Sequence, residues 1–122
     1  MTTIYADGGY RHMMRNGQYT PTAYGSFKVK SKFHRYVFGS GTSQVAEFKI
    51  LIAALEYCKK MHILGPTVIM DSALVVGAIS GRNIIKAHHL IPLYRHAASL
   101  ASLVGAHVEW VPRETILAQL GH

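Results

Sequence analysis

Asp7, Glu47 and Asp71 are half of the six acidic side chains in a chain of 122 residues that carries thirteen Lys and Arg. Asp7 and Asp71 are the only aspartates, and each closes a short β-branched or apolar run, Thr3-Ile4-Tyr5-Ala6 and Thr67-Val68-Ile69-Met70. Each is followed by a small residue, Gly8 or Ser72. A carboxylate at the end of an apolar strand is costly to desolvate unless a cation, a metal or a hydrogen-bond cluster offsets it. Two such strands lying side by side would hold the two acids together. Glu47, with Ile50, Leu51 and Ala54 at helical spacing around it, would add a third from a packed helix. Three converging carboxylates repel one another, and oxygen ligands favour hard divalent cations, Mg2+ or Mn2+, to fill the gap. Two such ions roughly 4 Å apart can activate a water and stabilise the leaving oxygen of a phosphodiester.

The elements that must position these residues follow from periodicity. Residues 2–7 read as a first strand that turns on Gly8-Gly9, and residues 10–20 as a loop with Asn16-Gly17 as a turn signal. From 22 to 31 the pattern alternates, with Phe27 and Val29 on one face and Ser26, Lys28 and Lys30 on the other. Ser31-Lys32 is the expected turn into a third strand at 33–39, completing an antiparallel meander. The period then becomes helical from Thr42 or Ser43 to about Met61, where Phe48, Leu51, Ile52, Leu55 and Cys58 form one stripe. Gly65-Pro66 ends that segment, and Thr67–Met70 reads as a strand covered on both faces. A short helix from Ser72 with Gly81 as its stop, a polar connection at 82–89, a helix over 90–104 stopped by Gly105, a strand over 106–111 and a terminal helix after Pro112 complete the order. The order β-β-β-α-β-α-α-β-α implies right-handed parallel crossovers. The expected architecture is one α/β domain over 1–122: a five-stranded mixed sheet flanked by helices, the first three strands antiparallel and the later ones parallel to the first.

Composition narrows the function classes. The formal charge is +7, which favours a polyanionic partner, nucleic acid above all. No apolar run approaches the roughly 18 residues of a membrane span. The N-terminus lacks a basic segment followed by an apolar core, so no signal peptide is expected. A single cysteine, Cys58, excludes an internal disulfide framework, suits a reducing, cytoplasmic setting and reads as a buried helix residue. Eight histidines show none of the Cys/His spacing of a structural zinc site. Trp110 and the aromatics at 24, 27, 33, 36 and 38 read as core or sheet-face residues.

Four segments in order resemble the successive motifs of type 1 ribonuclease H: Ile4-Tyr5-Ala6-Asp7-Gly8-Gly9, Gly41-Thr42-Ser43-Gln44-Val45-Ala46-Glu47, Met70-Asp71-Ser72-Ala73-Leu74-Val75-Val76 and Trp110-Val111-Pro112-Arg113-Glu114. The resemblance spans nearly the whole chain. It implies a ribonuclease H fold and hydrolysis of the RNA strand of RNA–DNA hybrids, giving 5′-phosphate products, with Asp7, Glu47 and Asp71 holding two Mg2+ or Mn2+ ions. It implies substrate contacts at Gly8, Ser43, Gln44 and Arg113. Ser43 and Gln44 stand where many members have two Asn and would read the RNA 2′-hydroxyl in the wide minor groove, a role compatible with helix capping by Thr42 or Ser43. The chain departs from the family where a fourth acid, generally Asp, is expected near the C-terminus. His122 is the first candidate for that place, as a metal ligand that would favour manganese or as a proton shuttle; Glu114 is the second, sharing a helix face with Ala118 and His122. Ala73 stands where the family often has Gln. The connection from Gly81 to His89 is too short for the basic protrusion of longer members, so phosphate contacts would fall to Lys28, Lys30, Lys32 and Arg35, or to Arg82, Lys86, Arg95 and Arg113. The expected partner is the hybrid, bound by a monomer without a membrane. Two rivals remain on the sequence: a related nuclease acting on DNA junctions or duplex RNA, and a nucleic-acid-binding domain that has lost activity with the fourth acid.

Overall fold

Helix α1 (Ser43–Lys60) is the element against which the sheet is built. Thr42 caps it, its hydroxyl accepting from the Val45 backbone N–H at 3.4 Å, and Ala46, Phe48, Ile50, Leu51, Ala54, Leu55 and Cys58 are buried along it. The computed structural model describes residues 1–121, with Arg15 described by its backbone alone. Its strands are β1 (Thr3–Arg15), β2 (Gln18–Val29), β3 (Lys32–Ser40), β4 (Thr67–Met70) and β5 (His107–Trp110). The remaining helices are α2 (Ala73–Ile79), α3 (Ile91–Val104) and α4 (Arg113–Leu120), with a 3-10 turn at His88–Leu90 leading into α3. The sheet order is β3-β2-β1-β4-β5. β1, β2 and β3 pair antiparallel, and β4 and β5 extend the sheet parallel to β1. The expected five-stranded mixed sheet flanked by helices is therefore the one observed.

The core lies between α1 and the sheet. Ile4, Ala6, Phe27 and Val29 are buried there with Phe48, Leu51, Leu55 and Cys58, and α3 closes it through Ala97, Leu100, Ala101 and Val104. Cys58 is a free, buried thiol, as read from the sequence. α4 lies on the other face of the sheet: Lys28, alternating with the inward Phe27 and Val29, donates from Nζ to the Gln119 carbonyl of α4 at 3.4 Å. Among the described residues no helix is long and apolar enough to cross a membrane.

Three expectations are corrected. The chain does not turn at Gly8-Gly9, and residues 10–20 are not a loop. β1 runs straight through the glycines to Arg15 and returns as β2 through a two-residue turn at Asn16 (φ 49°) and Gly17 (φ 78°). Asn-Gly with positive φ at both positions is the turn whose twist matches that of a β-ribbon. This ribbon shows no clear alternation because both its faces are exposed over most of its outer half. The next turn falls at Lys30-Ser31, one residue earlier than expected, with Lys30 at φ 57°.

The paired glycines have a different use. A Cβ on Gly8 would lie 2.5 Å from the Ala46 carbonyl carbon and 2.7 Å from the Glu47 amide nitrogen. Gly8 faces Gly25 across the ladder, and a Cβ there would meet Ile50, one turn further along α1, at 2.9 Å. Two facing glycines thus let the first turns of α1 rest directly on the backbone of β1 and β2. A Cβ on Gly9 would instead meet the Tyr24 hydroxyl at 3.1 Å, since Tyr24 lies across that residue on the opposite face. Gly8→Ala should lower stability by about 1–3 kcal/mol, the usual cost of forcing atoms into a packed contact. A thermal melt checks this, and an unchanged midpoint would show that α1 does not press on this strand.

Candidate active site

Parallel pairing of β1 with β4 aligns Tyr5 with Ile69. Two residues further along stand Asp7 on β1 and Asp71 just past the end of β4, and both lie within 4 Å of the Arg113 guanidinium. α1, seated on Gly8, brings Glu47 to the same end of the sheet. The three carboxyls lie within electrostatic reach: Asp71 acts on Asp7 by charge and by a side-chain hydrogen bond, and both aspartates act on Glu47. The structure therefore gathers the three acids singled out by their spacing.

Their protonation reflects the cost of gathering them. Asp7, 5% exposed, has its pKa pushed up to about 6, chiefly by burial and then by the Asp71 charge, with Arg113 opposing. Glu47 is pushed up to about 7, again chiefly by burial; a hydrogen bond from the Ser72 hydroxyl pulls the other way, and Asp71 and Asp7 add to the rise. A hydrogen bond between two carboxyls requires that they share a proton.

Arg113, the first residue of α4, answers this charge. Its Nη1 donates to Asp71 Oδ2 at 3.0 Å and stands 3.7 Å from Asp7 Oδ2. The side chain is 59% exposed, so the pair adds little stability, but it places a planar cation beside both aspartates. Trp110, expected in the core or on the sheet face, is 52% exposed and donates from Nε1 to the Asp71 backbone carbonyl at 3.2 Å. Ser72 is the residue whose full role the sequence reading missed. Its hydroxyl caps α2 by accepting from the Val75 N–H at 3.2 Å and also hydrogen-bonds Glu47. A small hydroxyl directly after a strand-end acid reads first as a cap, and only the packing of α1 reveals the second bond.

Ser43 and Gln44 occupy the first turn of α1, a turn before Glu47, with capping left to Thr42. Gly8 contributes backbone only, under that same turn. Glu114 is exposed in the first turn of α4, and among the described contacts none joins it to the aspartates. His122, the first candidate for the missing fourth acid, lies outside the described residues.

The donor set suits a hard divalent cation: three buried or half-buried carboxyls at one end of the sheet, two of them with pKa values raised chiefly by burial. As they stand, Asp7 and Asp71 share Arg113 and Glu47 is bonded to Ser72, so among the described residues no three His, Cys, Asp or Glu side chains form a ready-made metal cluster.

Comparisons with known proteins agree with this fold. A family model described as reverse transcriptase-like matches residues 28–118. The bifunctional protein Rv2228c of Mycobacterium tuberculosis is 39% identical over 118 residues, covering 90% of this chain and 31% of its own length. The chain thus spans about a third of that relative. The solved N-terminal RNase H domain of Rv2228c, fused to maltose binding protein, superposes with a TM-score of 0.81 at 33% identity, over 97% of this chain and 86% of that one. LC11-RNase H1, solved with an RNA/DNA hybrid, superposes with a TM-score of 0.76 at 22% identity, over 98% of this chain and 91% of that one, a likeness of fold.

The raised carboxyl pKa values set a pH dependence of stability. A carboxyl whose folded pKa exceeds its unfolded value binds more protons folded than unfolded between the two, so stability falls as pH rises through that window. For Asp7 the window runs from 3.8 to about 6, and for Glu47 from 4.5 to about 7. In chelator, the melting temperature should therefore fall as pH rises from about 4 to about 7. Glu47→Gln should flatten the upper part of that fall and stabilise the protein at pH 7.5 by on the order of 1 kcal/mol, after allowance for partial exposure. A variant no more stable than wild type there would show that Glu47 carries no such strain.

Proposed function

The chain belongs to the reverse transcriptase-like, ribonuclease H family, and from this we propose that it is a metal-dependent endonuclease that hydrolyses the RNA strand of RNA–DNA hybrids. The observation that carries the proposal is the shared register of β1 and β4, which sets Asp7 beside Asp71, together with the seating of α1 that brings Glu47 to them. The hybrid bound by LC11-RNase H1 supports the substrate class.

Asp7, Glu47 and Asp71 would hold the cations, Mg2+ or Mn2+. When bound, such ions neutralise the clustered carboxylates, promote ionisation of a water and stabilise the leaving oxygen. The reaction adds water across the phosphodiester: a P–O bond forms to the water oxygen, the P–O3′ bond breaks, and the products carry a 5′-phosphate and a 3′-hydroxyl. For this the carboxyls must be ionised, and Arg113, close to both aspartates, favours the ionised form of Asp7. Its exposed guanidinium can also bond a phosphate oxygen of the substrate, for which its planar fork is suited. Ser43 and Gln44, half-buried and exposed respectively in the first turn of α1, would meet the 2′-hydroxyls that distinguish RNA from DNA in a wide minor groove. Ser72 holds the Glu47 carboxylate in place. His122 remains the candidate for the fourth position.

With a strand-labelled hybrid, the wild-type protein should cleave only the RNA strand, and only with added Mg2+ or Mn2+. Asp7→Asn and Asp71→Asn should each reduce the rate by at least about 1,000-fold, the scale expected when catalytic charge stabilisation is lost. Full activity in either variant would overturn the mechanism. Binding without turnover in either metal would favour an inactive nucleic-acid-binding domain. Cleavage of duplex RNA or DNA junctions in preference to the hybrid would favour the related nuclease. If His122 takes the fourth position, His122→Ala should depress the Mn2+-supported rate; an unchanged rate in both metals would remove it from the site.

A further inference from the structure

We propose that the exposed α4-side face of the three-stranded wing, around Arg11, Tyr24 and Arg35, seats the sugar-phosphate backbone of the hybrid beside the cleavage site. The inference rests on the hybrid as substrate and joins Arg35, one of the cations open to phosphate on the sequence, to Arg11 and Tyr24 in one surface outside the four motifs.

Charge is distributed very unevenly along this chain. Residues 8–46 contain six Lys and Arg and no Asp or Glu, so six of the seven net positive charges lie in the wing and its connection to α1. The register fixes where some of them stand. Asp7, Ser26 and Arg35 are directly opposite one another on β1, β2 and β3, and residues so paired share a face. At a strand spacing of about 4.8 Å, the Arg35 backbone is about 10 Å from that of Asp7. Gly9, Tyr24 and Val37 form the next row outward, and Arg11 follows two residues beyond Gly9, again on this face.

These side chains form a shaped surface. The Arg11 guanidinium lies over the Tyr24 ring, 4.9 Å from its centroid. Tyr24 can lie down across β1 because Gly9 has no side chain. Arg11, Tyr24, Ser26, Arg35 and Val37 are among the residues that line a cavity of about 360 Å³. Tyr24 is also within electrostatic reach of Arg113, so the cavity adjoins the catalytic carboxylates. Two exposed guanidiniums, each over its own ring, Arg11 over Tyr24 and Arg35 at 5.3 Å from the Phe33 centroid, with no Asp or Glu from residue 8 to residue 46, match an extended polyanion with stackable sugars and bases. A stacked arginine keeps its planar donor fork available to phosphate. The cavity also supplies cationic contacts in a chain whose segment between α2 and α3 contains, among the described residues, only a 3-10 turn.

The test is hybrid binding and cleavage by an Arg11→Ala/Arg35→Ala variant. Lys59→Ala/Lys60→Ala, which removes two exposed charges at the far end of α1, controls for net charge, and Arg11→Lys/Arg35→Lys controls for folding. In Ca2+, apparent hybrid affinity of the Arg→Ala variant should fall about tenfold at 0.1 M salt, on the order expected from two lost phosphate contacts, and the slope of log affinity against log salt should become shallower by about 1.5. KM should rise with kcat changed less than about twofold, because the loss is one of uniform binding. The Lys variant should recover most of the affinity and the salt slope. An Arg→Ala variant that binds and cleaves no worse than Lys59→Ala/Lys60→Ala would overturn the seat while leaving the nuclease reading intact. A wild-type protein that neither binds nor cleaves the hybrid would overturn both.

Discussion

Helix α1 reaches the paired aspartates only because the sheet presents bare backbone where the helix crosses it. Gly8 and Gly25 face each other on β1 and β2, and the first turns of α1 occupy the space their side chains would fill. Everything at the carboxylate end depends on that contact. It sets the depth at which α1 sits over Ile4, Ala6 and Phe27, and it sets where Glu47 stands relative to Asp7. The parallel pairing of β4 with β1 then does for Asp71 what the glycines do for Glu47. Two independent packing decisions, one between strands and one between helix and sheet, converge on a single cluster of acids.

That cluster is electrostatically costly, and the surrounding residues are arranged around the cost. Asp7 and Glu47 keep protons to pH values well above those of free carboxyls. Arg113 lowers the repulsion between Asp7 and Asp71 from the side of α4, and Ser72 does the same for Glu47 from the start of α2. An arrangement that is strained without full compensation is also one that gains most from a bound cation, because the binding energy removes repulsion as well as adding ligand bonds. The stability sacrificed in the fold and the affinity expected of the site are two aspects of the same placement.

Much of this was legible from residue order. The strand-end aspartates stood out because a carboxylate after a β-branched run needs a reason, and the extent of α1 followed from a clean change of period, whereas the choice of Thr42 over Ser43 as its cap came only from the structure. The outer half of the β1–β2 ribbon was not legible, because a strand exposed on both faces carries no alternation, and Asn16-Gly17 by itself signals a turn without showing that two strands meet there. The roles of the two adjacent glycines were hidden for a different reason: Gly8 answers to a helix nearly forty residues later and Gly9 to a tyrosine fifteen residues later, contacts that no local pattern encodes. Ser72, Trp110 and the bridging position of Arg113 belong to the same class. Each is set by how elements dock, which fixes side-chain partners that periodicity alone leaves open.

Central to this account is that Asp7, Glu47 and Asp71 act as one divalent-cation site whose carboxyls must give up protons to bind. Calorimetric titration of Mn2+ into the wild-type protein at pH 6.5, in two buffers of different ionisation enthalpy, measures this directly, since the buffer dependence of the heat counts protons released. The account predicts saturable Mn2+ binding with net proton release, and loss of both in Glu47→Gln/Asp71→Asn. Saturable binding with no proton release, or binding undiminished in that double variant, would contradict it.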